Sequence, residues 1–472
     1  MAKNISSTSQ LFHYIGMLAE KMNTEVYVVG GYVRDKYLGR DVKDIDFTVI
    51  NDGIGFARAL ANALGMNNIV CFEKFGTCII PYKDYKLEFV QARSEKYEPG
   101  SRKPIVSVGD LHTDLERRDF TINTLARKLT REGPGKMVDL FNGREDLKNK
   151  IIRTPLDPLV TFDDDPLRMI RAVRFVVCLR FTIDSDTLQA IKEKRDRIKI
   201  VSQERVTDEF VKILQADIPS IGLDLLRKTG LLEIIFPELY QLIGVDQRGT
   251  YHHKDVWFHT LKVVDNVAAV SRKFELRLAA LYHDVAKPQT KRFEEKSGWT
   301  FHSHEVLGAK MIPSIIRRLK LPVKYIPYLQ KLINLHLRPI NLSGELVTDS
   351  AIRRLIVGAG EDLEDLLKLC RADITSGNPA RVKMHLKNFG FVEKRIQEVE
   401  EIDAFRAFKS PVDGNEIMEV CGINPSPLVG KLKSMIEEAI LDGNIPNEHD
   451  AAFEYLLHIK NKILQKEINN QS

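Results

Sequence analysis

The sequence predicts an α+β N-terminal part, a mixed sheet with helices, followed by an all-α remainder, and three observations carry that prediction. The segments "EVYVVGG", "DIDFTVI", "NIVCFEKFGTCIIPY" and "YKLEFVQAR" combine β-branched residues with turn punctuation, as strands do. Between them, "YVRDKYLG" and "GFARALANALG" read as short helices. From "TFDDDPLRMIRAVRF" onward, apolar residues recur at spacings of three and four, and Pro and Gly mark the breaks between helices. The expected divisions are 1–155, 156–245, 246–376 and 377–472.

A chain of 472 residues with 43% apolar content suffices for about three domains with cores of their own. Five cysteines without a C-x-x-C pair argue against a disulfide framework or zinc ribbon and favour a reducing compartment. The N-terminus lacks a signal peptide's basic start and apolar core, and no run of about 18 apolar residues exists for a membrane span. The expectation is a cytoplasmic protein with no membrane partner. A net charge of +5 permits a polyanionic partner without specifying one.

Within "DIDFTVI", strand alternation sends Ile45, Phe47 and Val49 to one face and Asp44, Asp46 and Thr48 to the other. Two carboxylates about 7 Å apart on an open face repel each other unless a cation lies between them. Such hard oxygen ligands suit Mg²⁺, which binds through one or two carboxylates plus substrate phosphates and serves in-line phosphoryl displacement. Glu88, in "YKLEFVQAR", is a candidate third carboxylate from a neighbouring strand. By itself D-x-D also describes the wet face of an edge strand. Upstream, Gly30 and Gly31 end a strand and precede a helix bearing Arg34, a place where backbone can approach phosphate closely. Neither a P-loop nor a dinucleotide-binding glycine pattern is present at such a turn.

These pieces, "VVGGYVRDKYLGRDVKDIDFTV", "RSEKY", "DLERRDFTINTLA" and "DDPLRMIRAVRF", resemble the bacterial tRNA nucleotidyltransferase and poly(A) polymerase family in the family's order over roughly the first 180 residues. The resemblance implies a polymerase β-type nucleotidyltransferase head that uses CTP and ATP, with Mg²⁺ at Asp44 and Asp46 and the tRNA 3′ end as acceptor. In "ERRDFTINTLARKL" the apolar residues suit a helix packed on the sheet, with Asp119 and Asn123 four apart on one face. A solvated first helical turn reads the same way; the resemblance assigns Arg118 and Asp119 to the ribose.

"DDPLRMIRAVRF" opens as helices do, with Met169, Ile170, Val173 and Val177 as its buried stripe and Arg168, Arg171 and Arg174 along another face. Cytosine and adenine both present an amine donor beside a ring-nitrogen acceptor, whereas uracil and guanine present the reverse. A carboxylate and a guanidinium together can therefore accept C and A and reject U and G. The resemblance places that pair at Asp165 and Arg168, with Asp164 where the family usually has Glu. A surface pair between Asp165 and Arg168 is the alternative on residues alone.

The stretch "QARSEKYEPGSRKPIVSVGD" has the composition of a mobile loop, and its Arg93-Ser94-Glu95 resembles the element that lets the family change from C to A addition. "FEKFGTCII" stands where bacterial poly(A) polymerases carry an Arg-rich pattern, which favours the tRNA enzyme.

Six of the twelve histidines lie between residues 252 and 304, so the helical half holds a second concentration of ligand chemistry. His259 sits on an amphipathic helix; His283 and Asp284 read as part of an otherwise apolar one, where buried polar groups need a compensating partner such as a metal. His283-Asp284, with His259 before and Asp373 after, resembles the HD superfamily of metal-dependent phosphohydrolases, and His304 and His336 match the extra histidines of two-metal HD domains. The expected cofactor there is Mg²⁺, Mn²⁺, Ni²⁺ or Co²⁺. The helical tail is locally basic, as solvated helix faces usually are; the resemblance implies that it binds tRNA through the RNA backbone. Two rivals stand beside the full CCA adder: a poly(A) polymerase or partial adder, and an HD phosphohydrolase whose head only binds RNA.

Overall fold

The computed structural model describes all residues except 1–6, 97–104, 248–253, 296–297, 343–347, 377, 404–409 and 472. They form two compact units, 1–240 and 241–472.

In the first unit, strands β1 (Val26–Val29), β2 (Asp44–Val49), β3 (Val70–Phe72), β4 (Thr77–Tyr82) and β5 (Tyr85–Gln91) precede a hairpin of β6 (Arg93–Lys96) and β7 (Ile105–Val108). Then come β8 (Ala126–Thr130) and β9 (Gly133–Val138). Seven strands make one mixed sheet in the order β3-β4-β5-β2-β1-β8-β9, in which β2 and β5 are parallel and the other pairs antiparallel. Ile45, Phe47 and Val49 are fully buried; Phe47 stacks on Phe89 of β5 with centroids 4.5 Å apart, and Phe12 of the helix Thr8–Lys21 meets Phe47 edge-on. Burying each such ring contributes about 2 kcal/mol, which fixes the register that turns Asp44 and Asp46 outward.

Four sequence expectations need correction. "ERRDFTINTLARKL" is not a helix: a single 3₁₀ turn, Thr121–Asn123, leads into β8, where buried Ala126 and Leu129 and the flanking strands impose sheet geometry. The Arg93-Ser94-Glu95 element lies on β6, paired with β7, because backbone pairing is open to it beside the sheet end; 97–104 lie outside the described residues. Thr48 does not share an open face with the aspartates but is fully buried and donates to Asp114 Oδ2 at 2.9 Å. Cys71 and Cys78 form a disulfide, because β3 and β4 fold back so that the two stand directly opposite, Cα atoms 4.1 Å apart.

Beyond the sheet and the β6–β7 hairpin the first unit is helical apart from a short parallel pair, Ile151–Ile152 with Thr182–Ile183, and the helices Pro158–Asp164, Leu167–Leu179 and Gln203–Leu214 lie nearest the site. The second unit is almost wholly helical: Val256–Val270, Phe274–Tyr282, His304–Arg318, Tyr325–Leu335 and Leu363–Asp373 carry the histidine-rich part, and Pro379–Asp403, Gly414–Cys421, Pro427–Leu441 and His449–Gln471 follow. No helix among the described residues is long and apolar enough to cross a membrane.

Candidate active site and metal centre

The parallel register of β2 and β5 sets Asp46 opposite Glu88, so three carboxylates, Asp44, Asp46 and Glu88, share one sheet face. Burial pushes the Asp46 carboxyl up, and Glu88 and Asp44 push the same way, while Arg118 opposes them. A half-buried carboxylate crowded by two others is a place where a divalent cation offsets repulsion, so these residues fit Mg²⁺. Glu88 meanwhile accepts from Lys86 at 3.3 Å.

Gly30 caps the helix Gly31–Tyr37 with φ 67°, a conformation open to glycine. A Cβ built on it would lie 2.8 Å from Arg118 Nη1 and 3.7 Å from Asp46 Oδ2. Gly30→Ala is therefore expected to displace Arg118 and cut nucleotide incorporation roughly tenfold or more. Incorporation at the wild-type rate would show that this approach is not used.

Arg118 is tied to buried Asp114 at 3.2 Å, and Asp114 also takes Arg117 at 2.5 Å. Asp119, expected at the ribose, has its carboxylate filled by protein donors. Oδ1 accepts from Phe120 N and from Asn123 Nδ2 at 2.8 Å, and Oδ2 from Arg171 Nε and Nη2 at 2.8 and 2.5 Å. Burial disfavours its charge, but Arg171 and the Asn123 hydrogen bond outweigh that and bring it down to about 2. Asn123 Oδ1 in turn accepts from Arg34 at 2.6 Å. Arg34, Arg171 and Arg174 gather around the ring of Phe175, with guanidinium carbons 5.1, 5.6 and 4.3 Å from its centroid. Arg174 pairs with Glu209 at 3.0 Å.

Asp165 and Arg168 do not pair with each other in the way the surface reading suggested. Asp165 caps Pro158–Asp164 and is forked by Arg205, while Arg168 donates to the Arg117 and Thr161 carbonyls at 2.5 and 3.4 Å. Asp165 itself is extended between two helices, whereas Arg168 lies in the first turn of the second, so the two side chains leave from different backbone geometries. Arg205 was missed, since one arginine at the start of an amphipathic helix carries no sequence signal. The β-face carboxylates, Arg118, Asp165, Arg168 and Arg205 all line one cavity of about 760 Å³.

In the second unit the candidate ligands collect at helix ends. His283 and Asp284 follow the last turn of Phe274–Tyr282 rather than lying inside the helix: His283 caps its C-terminus, Asp284 lies in the turn beyond, and both are buried. His304 opens one helix, His336 ends another, and Asp373 is the last residue of a third. Asn266 donates to the Ala372 carbonyl at 2.9 Å and so holds the helix of His259 against Asp373.

All four imidazoles are anchored through Nδ1: His259 to Thr375 Oγ1, and His283, His304 and His336 to the carbonyls of Ala280, Phe301 and Ile333, at 2.6–2.9 Å. Their Nε2 atoms therefore face inward, the arrangement that metal-binding histidines adopt. Two groups have ligand atoms within 4.8 Å of one another, His259 with His283 and Asp373, and Asp284 with His304 and His336. Asp284 joins them: Oδ2 lies 3.4 Å from His259 and 3.2 Å from His283, Oδ1 3.3 Å from His304 and 3.9 Å from His336.

Asp284 Oδ1 and the Nε2 atoms of His304 and His336 are buried without a hydrogen bond, the situation a metal ion resolves. Burial works against a charged His283, yet Asp284 and Asp373 raise it to about 10, while burial and His283 hold His336 down at about 3. Lys287 also reaches Asp284 at 2.6 Å, a contact not foreseen from sequence. Beside His259 opens a cavity of about 770 Å³ with Phe258, Val270 and Ile374 on its apolar wall and Lys262 at its edge.

Residues 26–153 match the poly A polymerase head domain, 180–242 the probable RNA and SrmB-binding site of polymerase A, and 256–376 the HD domain. The A-adding tRNA nucleotidyltransferase of Deinococcus radiodurans is 31% identical over 436 residues, 90% of this chain and 93% of that protein. The multifunctional CCA protein of Aliivibrio salmonicida is 31% identical over 413 residues, 83% and 96% of the two chains. Among solved structures, the Bacillus stearothermophilus CCA-adding enzyme in complex with CTP superposes with a TM-score of 0.66 at 24% identity, covering 98% of this chain and 100% of that one, a likeness of fold. Fold and site together define a nucleotidyltransferase head followed by an HD domain. The chain belongs to the family of bacterial tRNA nucleotidyltransferases and poly(A) polymerases.

Proposed function

We propose that the chain adds C, C and A to the 3′ end of tRNA, using CTP and ATP and releasing pyrophosphate, in the cytoplasm. One observation carries the reading: the three carboxylates and the Asp165–Arg168 segment open into the same cavity, so a nucleotide can be held at both ends at once. Mg²⁺ held by Asp44 and Asp46 supplies charge stabilisation to the attacking and leaving oxygens when bound. Arg118, which lines the cavity with Nη1 close to Gly30, holds the ribose of the bound nucleotide. Asp119 acts one step back, holding Asn123 and Arg171 in the cavity wall. Asp165 accepts the amine of C or A, and Arg168 donates to the ring nitrogen. Helices of the tail contact the tRNA backbone.

A narrower reading, addition of A alone, is favoured by the likeness to the A-adding Deinococcus enzyme. Sequencing the ends of two sets of tRNA transcripts, one lacking CCA and one ending in CC, after incubation with the protein, Mg²⁺ and all four nucleotides, separates the two. CCA ends support the proposal; A added only to transcripts that already end in CC supports the narrower reading, and no addition to any RNA defeats both.

The HD domain we read as a working phosphohydrolase on phosphate esters or cyclic phosphates, dependent on Mg²⁺, Mn²⁺, Ni²⁺ or Co²⁺. Two convergent ligand groups and an adjoining cavity support this.

A further inference from the structure

Base reading by Asp165 and Arg168 requires a carboxylate whose plane is fixed, because a freely turning carboxylate accepts from any donor that approaches. Asp165 stands at a helix end, where the backbone alone does not fix its side chain. Three donors do. Leu167 N reaches Oδ1 at 3.2 Å, and the Arg205 guanidinium spans the group, with Nη1 3.4 Å from Oδ1 and Nη2 2.8 Å from Oδ2. Arg205 comes from the helix Gln203–Leu214 and lines the same cavity as Asp165 and Arg168.

A carboxylate offers about four lone-pair positions, two on each oxygen. Leu167 and Arg205 Nη1 occupy Oδ1, and Nη2 occupies one position on Oδ2. One acceptor position remains, on Oδ2. A planar fork locks the carboxylate plane as a single ammonium does not. We infer that Arg205 is a positioning residue for base selection: it presents Asp165 as one oriented acceptor, which the exocyclic amine of cytosine or adenine fills and the carbonyl of uracil or guanine does not. The inference rests on the proposed reading of bases by Asp165.

The pair has little else to do. Its side chains are 41% (Arg205) and 22% (Asp165) exposed, and an ion pair of that exposure contributes little to stability. Loss of Arg205 is therefore expected to leave the thermal midpoint nearly unchanged and to alter discrimination instead.

The test compares ATP with inosine triphosphate, which carries a carbonyl and ring N–H where ATP has the amine and ring acceptor, on tRNA ending in CC. For Arg205→Ala the ratio of kcat/KM values for ATP over inosine triphosphate should fall at least roughly tenfold, chiefly through a raised KM for ATP. Arg205→Lys should recover only part of the ratio, and Arg205→Gln guards against a folding defect in the alanine variant. CTP against UTP on tRNA lacking CCA should move in parallel. A ratio within about twofold of wild type in the folded variants, or an equal fall for both nucleotides, overturns the inference while leaving the base-reading proposal intact. Wild-type protein that adds A but uses inosine triphosphate as well as ATP overturns base reading itself, and the role of Arg205 with it.

Discussion

Replacing Asp44 and Asp46 together by alanine is expected to reduce nucleotide addition by about a thousandfold or more, since metal-assisted charge stabilisation supplies several kcal/mol and each 1.36 kcal/mol is tenfold in rate. The fold should survive. Both residues stand on the outer face of β2, and the apolar face that packs the strand, Ile45, Phe47 and Val49, is untouched. Burial and neighbouring carboxylates already disfavour a charged Asp46, so Asp46→Asn relieves strain on the apo protein while removing a cation ligand. That single variant should be nearly as inactive as the double one and at least as thermally stable. Incorporation by the double variant within tenfold of wild type would remove these carboxylates from the chemistry.

Removing the group that joins the two histidine clusters should silence the other half. Asp284→Ala takes away a carboxylate that faces four imidazoles and leaves Nε2 atoms of His304 and His336 buried with no acceptor. Phosphodiester hydrolysis is expected to fall at least roughly a hundredfold, beyond the loss that outer-shell changes cause, and bound divalent metal measured by mass spectrometry to fall with it. Chelation should lower the thermal midpoint of wild-type protein, because a metal that binds the folded state stabilises it, and should have little effect on the variant. CCA addition by the same preparation should continue. Undiminished hydrolysis together with unchanged metal content would rule out Asp284 as a ligand.

Much of this site was visible in the sequence because its signals are local. Strand alternation alone turned Asp44 and Asp46 away from Ile45, Phe47 and Val49, since a side-chain period of two allows no other arrangement once one face is apolar. For the His283-Asp284 pair the signal was equally local, two polar groups in an apolar stretch; His259 and Asp373 came in through the resemblance to HD domains.

Where neighbours in space are distant in sequence, local pattern does not specify them. The stretch from Phe120 into β8 looked helical because Phe120, Ile122, Leu125 and Ala126 are apolar at helical spacing; a 3₁₀ turn and the pairing of Ala126–Thr130 with β1 and β9 decided otherwise. Asp165 lies beside Arg168 in the chain but is held by Arg205, forty positions on, because the chain is extended at Asp165 between two helices. Asp119 looked ready for a ligand until the fold filled it with Asn123 and Arg171. The sequence by itself determined which chemical groups are present and which face of their own element they occupy, since that depends only on backbone periodicity. Tertiary structure decided which partners those groups meet, since hydrogen bonds and ion pairs form between whichever donors and acceptors packing brings within about 3 Å.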